Sequence, residues 1–473
     1  MTPASAPPEP HSSTVGKKPL KSMEVRTVAS GTLGSALEYF DFATYGILSA
    51  TVFPQLFFHQ LGSTGGLLAS FATFGVGVAA RPLGAVLFGH LGDKIGRKPI
   101  LFVTLALMGA SSILIGFLPT GGGVGIAVLL VALRFVQGVS LGGEATGGQI
   151  LSVEHCDRSR RGLMGSFVVI GSPLSQVLGN LVIAALSASL TEDQFLAWGW
   201  RVPFIGSIVI VATAVFIRLK LEETPAFAES KDAEAATPVE EGSRRTGIRV
   251  LKTHPRQVVG LMLAWAGTTL SFYLIAVYGL SYLPSETGMS AQTATVIMVV
   301  ANGLSAVFAI AGGYVSDRIG RRRVWHIGLG GCFVGIVLFF TAAAPDPVVT
   351  GAIVALVMCS IQFLSGAQPA LFAEQFPTKV RFTGMALAYT GANVLFAAPA
   401  PFVAAGLTAL GGSKLVMAVN LLVLVVSAVA VSTCREGANR DLSPEMEPVR
   451  PPGTARDLTP NDPQHRPAAM NHQ

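Results

Sequence analysis

Hydrophobic residues run along this chain in long blocks, which short polar connections separate. Three of these blocks, residues 99–133, 257–285 and 324–345, contain no Asp, Glu, Lys or Arg. Each is longer than the roughly 18–20 apolar residues that a helix needs to cross the hydrocarbon core of a bilayer. Because an isolated segment in lipid must satisfy its own backbone hydrogen bonds, each block predicts a transmembrane helix.

The same pattern predicts twelve spans in two sets of six. The first six lie at about 27–53, 66–90, 98–118, 123–153, 163–189 and 200–220, and the second six at about 256–284, 291–316, 323–343, 348–374, 382–408 and 412–434. We therefore expect an all-α membrane protein, with a tail at 1–26, a six-helix bundle at 27–220, a polar linker at 221–255, a second six-helix bundle at 256–434 and a Pro-rich, disordered tail at 435–473.

Composition supports this prediction, because only 13% of the 473 residues are charged, against roughly 25% in soluble proteins. Basic residues cluster before the first span and after the second, fourth, eighth and tenth spans, while the alternate loops are nearly free of them. This pattern is typical of a plasma (inner) membrane protein with both termini in the cytoplasm.

The sequence shows no nucleotide-binding, nucleophile-elbow or clustered metal-binding motif, and its four cysteines and eight histidines are dispersed. We expect no enzymatic activity, no cofactor, no nucleic acid and no obligate protein partner.

An internal repeat relates the two sets of spans. The segment Gly89-His-Leu-Gly-Asp93-Lys-Ile-Gly96-Arg97-Lys98 recurs as Gly313-Tyr-Val-Ser-Asp317-Arg-Ile-Gly320-Arg321-Arg322, in both cases after the second span of a set. A glutamate also precedes an arginine by seven residues after the fourth and the tenth spans. Two features that repeat together predict duplicated halves, which are common in secondary transporters.

The first of these repeated segments is the signature of the major facilitator superfamily, which the chain resembles across about 25–435. It is similar to the metabolite–proton symporter branch, which includes shikimate, α-ketoglutarate, citrate and proline/betaine carriers. The supporting motifs include Glu38-Tyr-Phe-Asp41-Phe-Ala-Thr-Tyr45-Gly46, Arg81-Pro82-Leu-Gly84, Arg134-Phe-Val-Gln137-Gly138 and Trp198-Gly-Trp200-Arg201.

The resemblance implies alternating access and the import of a small organic anion together with protons across the lipid bilayer. The cargo would be a shikimate-like acid or a di- or tricarboxylate. The alternative is a proton-coupled osmolyte carrier for proline or betaine.

Ionisable residues at membrane depth cost about 2.5–3.5 kcal/mol each and are functional candidates for that reason. We predict proton coupling by Asp41, Arg134, Glu38 and Glu144. Asp41 and Arg134 both fall near mid-depth, and we expect a pair in which a cargo carboxylate competes for Arg134. Asp41 would then lose its counter-ion and take up a proton more readily. The alternative is a permanent ion pair that only fixes helix packing.

Arg81 is the predicted anion contact, because its planar fork matches a carboxylate; the alternative is an ion pair with Glu38 or Glu144. The full set of predicted substrate-binding residues is Arg81, Arg134, Tyr45, Gln137, Tyr273, Tyr278, Gln362, Tyr389 and Asn393. Their hydroxyls and amides suit a polyol or a hydroxy acid, although tyrosines in transmembrane helices also serve as packing and interface anchors.

The charges of the repeated loops predict a cytoplasmic gate. Its predicted members are Asp93, Arg97, Glu154, Arg161, Asp317, Arg321, Glu374 and Arg381. Topology signals alone would explain the arginines, but not the repeated spacing of the acidic residues.

Overall fold

A computed structural model describes residues 39–95, 97–121, 123–142, 145–154, 156–209 and 250–438, together with Ala36 and Ala212. The predicted linker at 221–255 falls largely outside these residues, as do both predicted tails except 435–438. The division of the chain into two bundles therefore stays a prediction.

The described residues of the first set of spans form helices with short interruptions. Its helices are 39–51 and Phe53–Phe57 (first span), Gly62–Ala79 and Arg81–Ile95 (second), Arg97–Gly116 (third), Val124–Leu141 and Ala145–Glu154 (fourth), Arg161–Val169 and Gly171–Ser189 (fifth), and 202–209 (sixth).

The second set is described over its whole length. Its helices are Pro255–Tyr273 and Gly279–Thr287 (seventh span), Ala291–Ile319 (eighth), Arg321–Ala342 (ninth), Pro347–Ser365 and Gln368–Ala373 (tenth), Arg381–Ala392 and Ala400–Gly411 (eleventh), and Ser413–Thr433 (twelfth). In the described part of the chain, nine helical stretches are long and apolar enough to cross a membrane. The predicted all-α membrane fold is confirmed.

The seventh and eleventh spans are each interrupted by one π-helical turn, at Leu274–Tyr278 and Asn393–Ala397. Such turns widen a helix locally and are frequent at functional sites. Near them the two spans are joined by a hydrogen bond of 2.8 Å from the Thr269 hydroxyl to Asn393 Oδ1. The hydrogen bond therefore ties the two irregular spans together within the second set.

Glycines bring the second and fourth spans into backbone contact. A Cβ atom at Gly84 would lie 1.7 Å from the carbonyl oxygen of Val139, and one at Gly142 would lie 1.9 Å from that of Arg81. Small residues at helix interfaces allow this approach in membranes. The contact places Arg134, on the fourth span, directly against the second span.

Candidate functional site

A cavity between the two sets of spans, which we call the main cavity, has a volume of about 70 Å³. Because ligand pockets typically measure about 300–1,000 Å³, a metabolite would fit only if the main cavity widened. Its walls come from the first, fourth and fifth spans on one side and from the seventh, tenth and eleventh on the other. The lining residues are Tyr39, Gln149, Val168, Val169, Ser172, Trp265, Thr268, Thr269, Phe272, Tyr273, Ile361, Gln362, Ser365, Gln368, Tyr389 and Asn393.

Four polar atoms in this wall are buried and lack a hydrogen-bond partner among the described residues. They are Trp265 Nε1, Thr268 Oγ1, Gln362 Oε1 and Gln368 Nε2. A buried polar group left without a partner costs about 1–3 kcal/mol. The main cavity therefore presents donors and acceptors that a hydroxylated or carboxylated ligand, or water, would satisfy.

Asp41 lies in a buried polar cluster, apart from the residues that line the main cavity, and is only 1% exposed. Its Oδ2 accepts a hydrogen bond from the Ser112 hydroxyl and another, of 3.4 Å, from Gln137 Nε2. Gln137 Nε2 also donates to Ser112 at 2.7 Å, and Gln137 Oε1 accepts from Arg134 Nη1 at 2.5 Å. Gln137 thus connects the carboxylate of Asp41 to the guanidinium of Arg134.

Aromatic rings hold the rest of the Arg134 guanidinium, which is fully buried. Its central carbon lies 3.7 Å from the ring centroid of Tyr45 and 4.4 Å from that of Phe42. The guanidinium carbon of Arg81 lies 4.2 Å from the same Phe42 ring. Cation–π contacts of this kind are worth about 2 kcal/mol or more when desolvated. Phe42 therefore bridges the two arginines.

Contacts between the two sets of spans close one end of the bundle, which we call the charged end. At this end the fourth span meets the fifth and the eighth meets the ninth. Glu154 Oε1 accepts from Arg381 Nη1 at 2.5 Å. The carboxylate of Asp317 accepts hydrogen bonds from the backbone N–H groups of Gly162 at 2.8 Å and Leu163 at 2.9 Å. Asp317 thereby satisfies the start of the fifth-span helix, where unpaired N–H groups and the helix dipole favour a negative charge.

Arg321 organises the charged end within the second set. It lies 2.6 Å from Asp317 Oδ1 and 3.2 Å from Glu374 Oε1 and is fully buried. The carboxylate of Glu436, just beyond the twelfth span, accepts hydrogen bonds from the backbone N–H groups of Arg321 at 2.9 Å and Arg322 at 3.0 Å. The chain after the last span therefore caps the ninth-span helix.

Toward the opposite end, the first two spans contact the seventh and eleventh. The rings of Phe74 and Tyr273 lie 5.5 Å apart. A Cβ atom at Gly75 would lie 2.7 Å from the carbonyl oxygen of Ala398. The main cavity therefore lies between two constrictions, as expected for an intermediate of alternating access.

The structure brings several of the predicted residues together. Tyr273, Gln362, Tyr389 and Asn393 line the main cavity. Asp41, Arg134, Gln137 and Tyr45 form the buried cluster, and Arg81 approaches from the second span.

Other predicted residues have different positions or lie outside the described part. Asp41 and Arg134 are bridged by Gln137 rather than joined directly, because the glutamine amide fits between them. Tyr278 is not among the cavity-lining residues; its hydroxyl is hydrogen-bonded to Thr408 at 2.7 Å. Arg161 is buried at the charged end. Glu38 and Glu144 lie outside the described residues, as do the side chains of Asp93 and Arg97.

Sequence reasoning did not find Ser112, Phe42, Trp265, Thr268 or Gln368. Ser112 lies in a charge-free apolar block with no motif around it. Phe42 directly follows Asp41, and this adjacency was the one available signal. The remaining three are neutral residues that differ from neighbouring positions only in the direction their side chains take in the fold.

The sequence model of the Major Facilitator Superfamily matches residues 32–373 and 261–467. The chain belongs to this superfamily. Curated relatives include the inner membrane metabolite transport protein YhjE of Escherichia coli, 35% identical over 82% of this chain and 89% of the relative. The Escherichia coli shikimate transporter is 33% identical over 82% and 89%, and the Salmonella typhimurium proline/betaine transporter is 31% identical over 88% and 84%.

Solved structures agree on the fold. The proton:xylose symporter XylE superposes with a TM-score of 0.70, covering 89% of this chain and 97% of the symporter at 17% identity. The predicted superfamily is confirmed, and the protein is a multi-pass membrane transporter and not an enzyme.

Proposed function

We propose that this superfamily member imports a small organic acid together with protons across the inner membrane. Its termini and charged end would face the cytoplasm, because the basic loops lie at that end and basic residues are retained on the cytoplasmic side. The observation that carries the proposal is the buried Asp41–Gln137–Arg134 connection, which Phe42 separates from the space between the two sets of spans.

The chemistry of this connection favours coupling. A carboxylate buried in low dielectric takes up a proton more readily once its cation is engaged elsewhere. An incoming organic anion that bonds to Arg134 would remove that cation from the Gln137 bridge and thereby favour the protonation of Asp41. Symport then needs no residue beyond those of the cluster and the cavity.

The proposed cargo is a hydroxylated acid of the shikimate type or a di- or tricarboxylate. The unpaired donors and acceptors of Trp265, Thr268, Gln362 and Gln368 match the hydroxyl and carboxyl groups of such an acid. Arg81, which stacks on Phe42 and lies 5.7 Å from the Tyr39 ring, is the proposed first contact for the carboxylate. The relatives named as shikimate and metabolite transporters support this class.

The charged end is the proposed gate. Glu154–Arg381 and the capping of the fifth span by Asp317 hold the two sets of spans together while the cavity faces outward. Both contacts must separate for release into the cytoplasm. Such contacts change the rate of transport more than the affinity for cargo, because they do not touch it.

A second candidate, uptake of a zwitterionic osmolyte, is favoured by the aromatic lining of the main cavity. Tyr39, Trp265, Phe272, Tyr273 and Tyr389 all contribute to that lining. Rings of this kind bind quaternary ammonium groups by cation–π attraction. The relative named as a proline/betaine transporter supports this alternative.

Two measurements test the proposal. Thermal stabilisation of the purified protein by shikimate, 2-oxoglutarate, citrate, proline and betaine at pH 5.5 and 7.5 identifies the ligand class. Stabilisation by betaine or proline alone, with osmotic activation of uptake, would support the second candidate instead.

The coupling is tested by Asp41→Asn, which removes the titratable carboxyl at nearly constant volume. We expect loss of pH-gradient-driven accumulation in proteoliposomes with retention of exchange of cargo against cargo. Asp193→Asn, the same change at an exposed residue of the short helix Glu192–Ala197, is the control and should behave as wild type. Full accumulation by Asp41→Asn would show that Asp41 has only a packing role.

A further inference from the structure

Phe42 lies where the cargo space meets the buried charges. A second, smaller cavity of about 10 Å³ is lined by Phe42 and shares Tyr39, Ser172, Phe272 and Tyr273 with the wall of the main cavity. The two spaces are therefore neighbours, and Phe42 closes the smaller one on the side of the first span. Its ring is only 3% exposed.

The same ring covers Arg134. The guanidinium carbon of Arg134 lies 4.4 Å from the Phe42 centroid, and no part of Arg134 is exposed. Two of its nitrogens, Nε and Nη2, are buried without a hydrogen-bond partner among the described residues, whereas Nη1 donates to Gln137. Arg134 thus retains unused donors for an anion, and the Phe42 ring lies between this guanidinium and the cavity.

We propose that Phe42 is a positioning residue that acts as an aromatic shutter between the cargo cavity and the proton site. With the cavity empty, the ring shields Arg134 and keeps it on the Gln137 bridge to Asp41. A cargo carboxylate that enters the smaller cavity displaces the ring and bonds to the free nitrogens of Arg134. This inference rests on the proposed symport, and it explains why a proton would be taken up only with cargo.

The surroundings of Asp41 fit this role. The charged group that acts on Asp41 in the described residues is Arg134 on the fourth span, and Tyr45, Arg81 on the second span and Tyr273 on the seventh in turn surround Arg134. Arg134 is the cation connected to the carboxylate, and its position depends on the two rings that cover it. Removing the Phe42 ring would expose Arg134 to water and small anions and weaken its hold on the bridge. Asp41 would then become protonated without cargo.

The test measures proton entry into proteoliposomes that contain a pH-sensitive dye, under an inward proton gradient and with no cargo present. We expect Phe42→Leu to raise this leak about 30-fold over wild type, the ratio to which a desolvated cation–π contact corresponds. Phe42→Tyr keeps the aromatic face, and its proton leak should stay at the wild-type level. The matched control is Phe272→Leu, because Phe272 lines both cavities and has no cation–π contact with an arginine in the described part of the chain.

The outcomes separate the inference from the proposed function. An equal leak in Phe42→Leu and Phe272→Leu, or an undiminished leak in Phe42→Tyr, would overturn the shutter. So would a Phe42→Leu carrier that stays fully coupled. If Phe42→Leu does not fold, Phe42→Met removes the ring with an unbranched side chain and takes its place. Wild-type uptake of the acid panel, driven by a pH gradient, tests the symport independently; its failure would refute the function and not merely the shutter.

Discussion

The contact of the fifth span with the eighth offers the sharpest test of the proposed gate. Gly162 donates its N–H to Asp317, and a Cβ atom there would lie 2.3 Å from Ser316 Oγ, 2.4 Å from the carbonyl oxygen of Gly313 and 2.6 Å from Arg321 Nη1. Two of these atoms are a backbone carbonyl and a pinned guanidinium, so the neighbours cannot simply rotate away. Gly162→Ala should therefore force the two sets of spans apart at the charged end.

The free-energy cost of Gly162→Ala has two sources, the overpacked contact at the new Cβ atom and the weakened hydrogen bonds to Asp317. Overpacking a close contact costs about 1–3 kcal/mol, and hydrogen bonds to a charged acceptor contribute about 1.5–3 kcal/mol each. Even a net cost of about 2 kcal/mol, borne only by the closed form, shifts the ratio of closed to open carrier by about 30-fold. Because the open form lacks this contact, the substitution changes the gate equilibrium.

Accessibility of the cavity from the cytoplasmic side measures this shift. Ser172 lines both cavities, and Ser172→Cys in a background without Cys156, Cys332, Cys359 and Cys434 provides a single reporter thiol. In inside-out vesicles, we expect Gly162→Ala to accelerate its labelling by an impermeant reagent by up to about 30-fold.

The control for this experiment is Gly330→Ala on the ninth span, where an added Cβ meets no atom within 4 Å. It should label at the wild-type rate. An unchanged rate in Gly162→Ala, or a faster rate from the periplasmic side instead, would refute the gate assigned to the charged end.

Two further predictions concern the position of Arg134 and the stability of the ninth-span helix. Gly77→Ala places a Cβ 2.9 Å from Arg134 Nη2, so displacing the guanidinium should cost about 1–3 kcal/mol and reduce uptake driven by a pH gradient. The control is Gly125→Ala, which has no neighbour within 4 Å and should leave uptake unchanged. Equal uptake in both variants would contradict the position of Arg134. Glu436→Ala removes the cap on the ninth-span helix and should lower the free energy of unfolding by about 0.5–2 kcal/mol, seen as a lower Tm, and an unchanged Tm would show that the cap adds no stability.

Much of the architecture could be predicted from the order of residues alone. Charge-free blocks such as 257–285 must form helices in lipid, since no other fold satisfies their backbone there. The repeat of Asp93 and Asp317 in equivalent loops indicated duplication. Asp41 and Arg134 stood out because a charge within a span is costly and is retained for a purpose. These signals are local, or periodic along the chain, and therefore visible without a structure.

The tertiary structure decided how these residues meet. Gln137 reaches Asp41, and Phe42 covers Arg134, only because the first and fourth spans pack against each other. A neutral side chain such as that of Gln368 can be assigned to the site only from its direction in the fold. In the sequence, an amide that faces lipid cannot be distinguished from one that faces the cavity. Helix periodicity shows which residues share a face, but contact between faces of distant spans depends on packing that no single segment encodes.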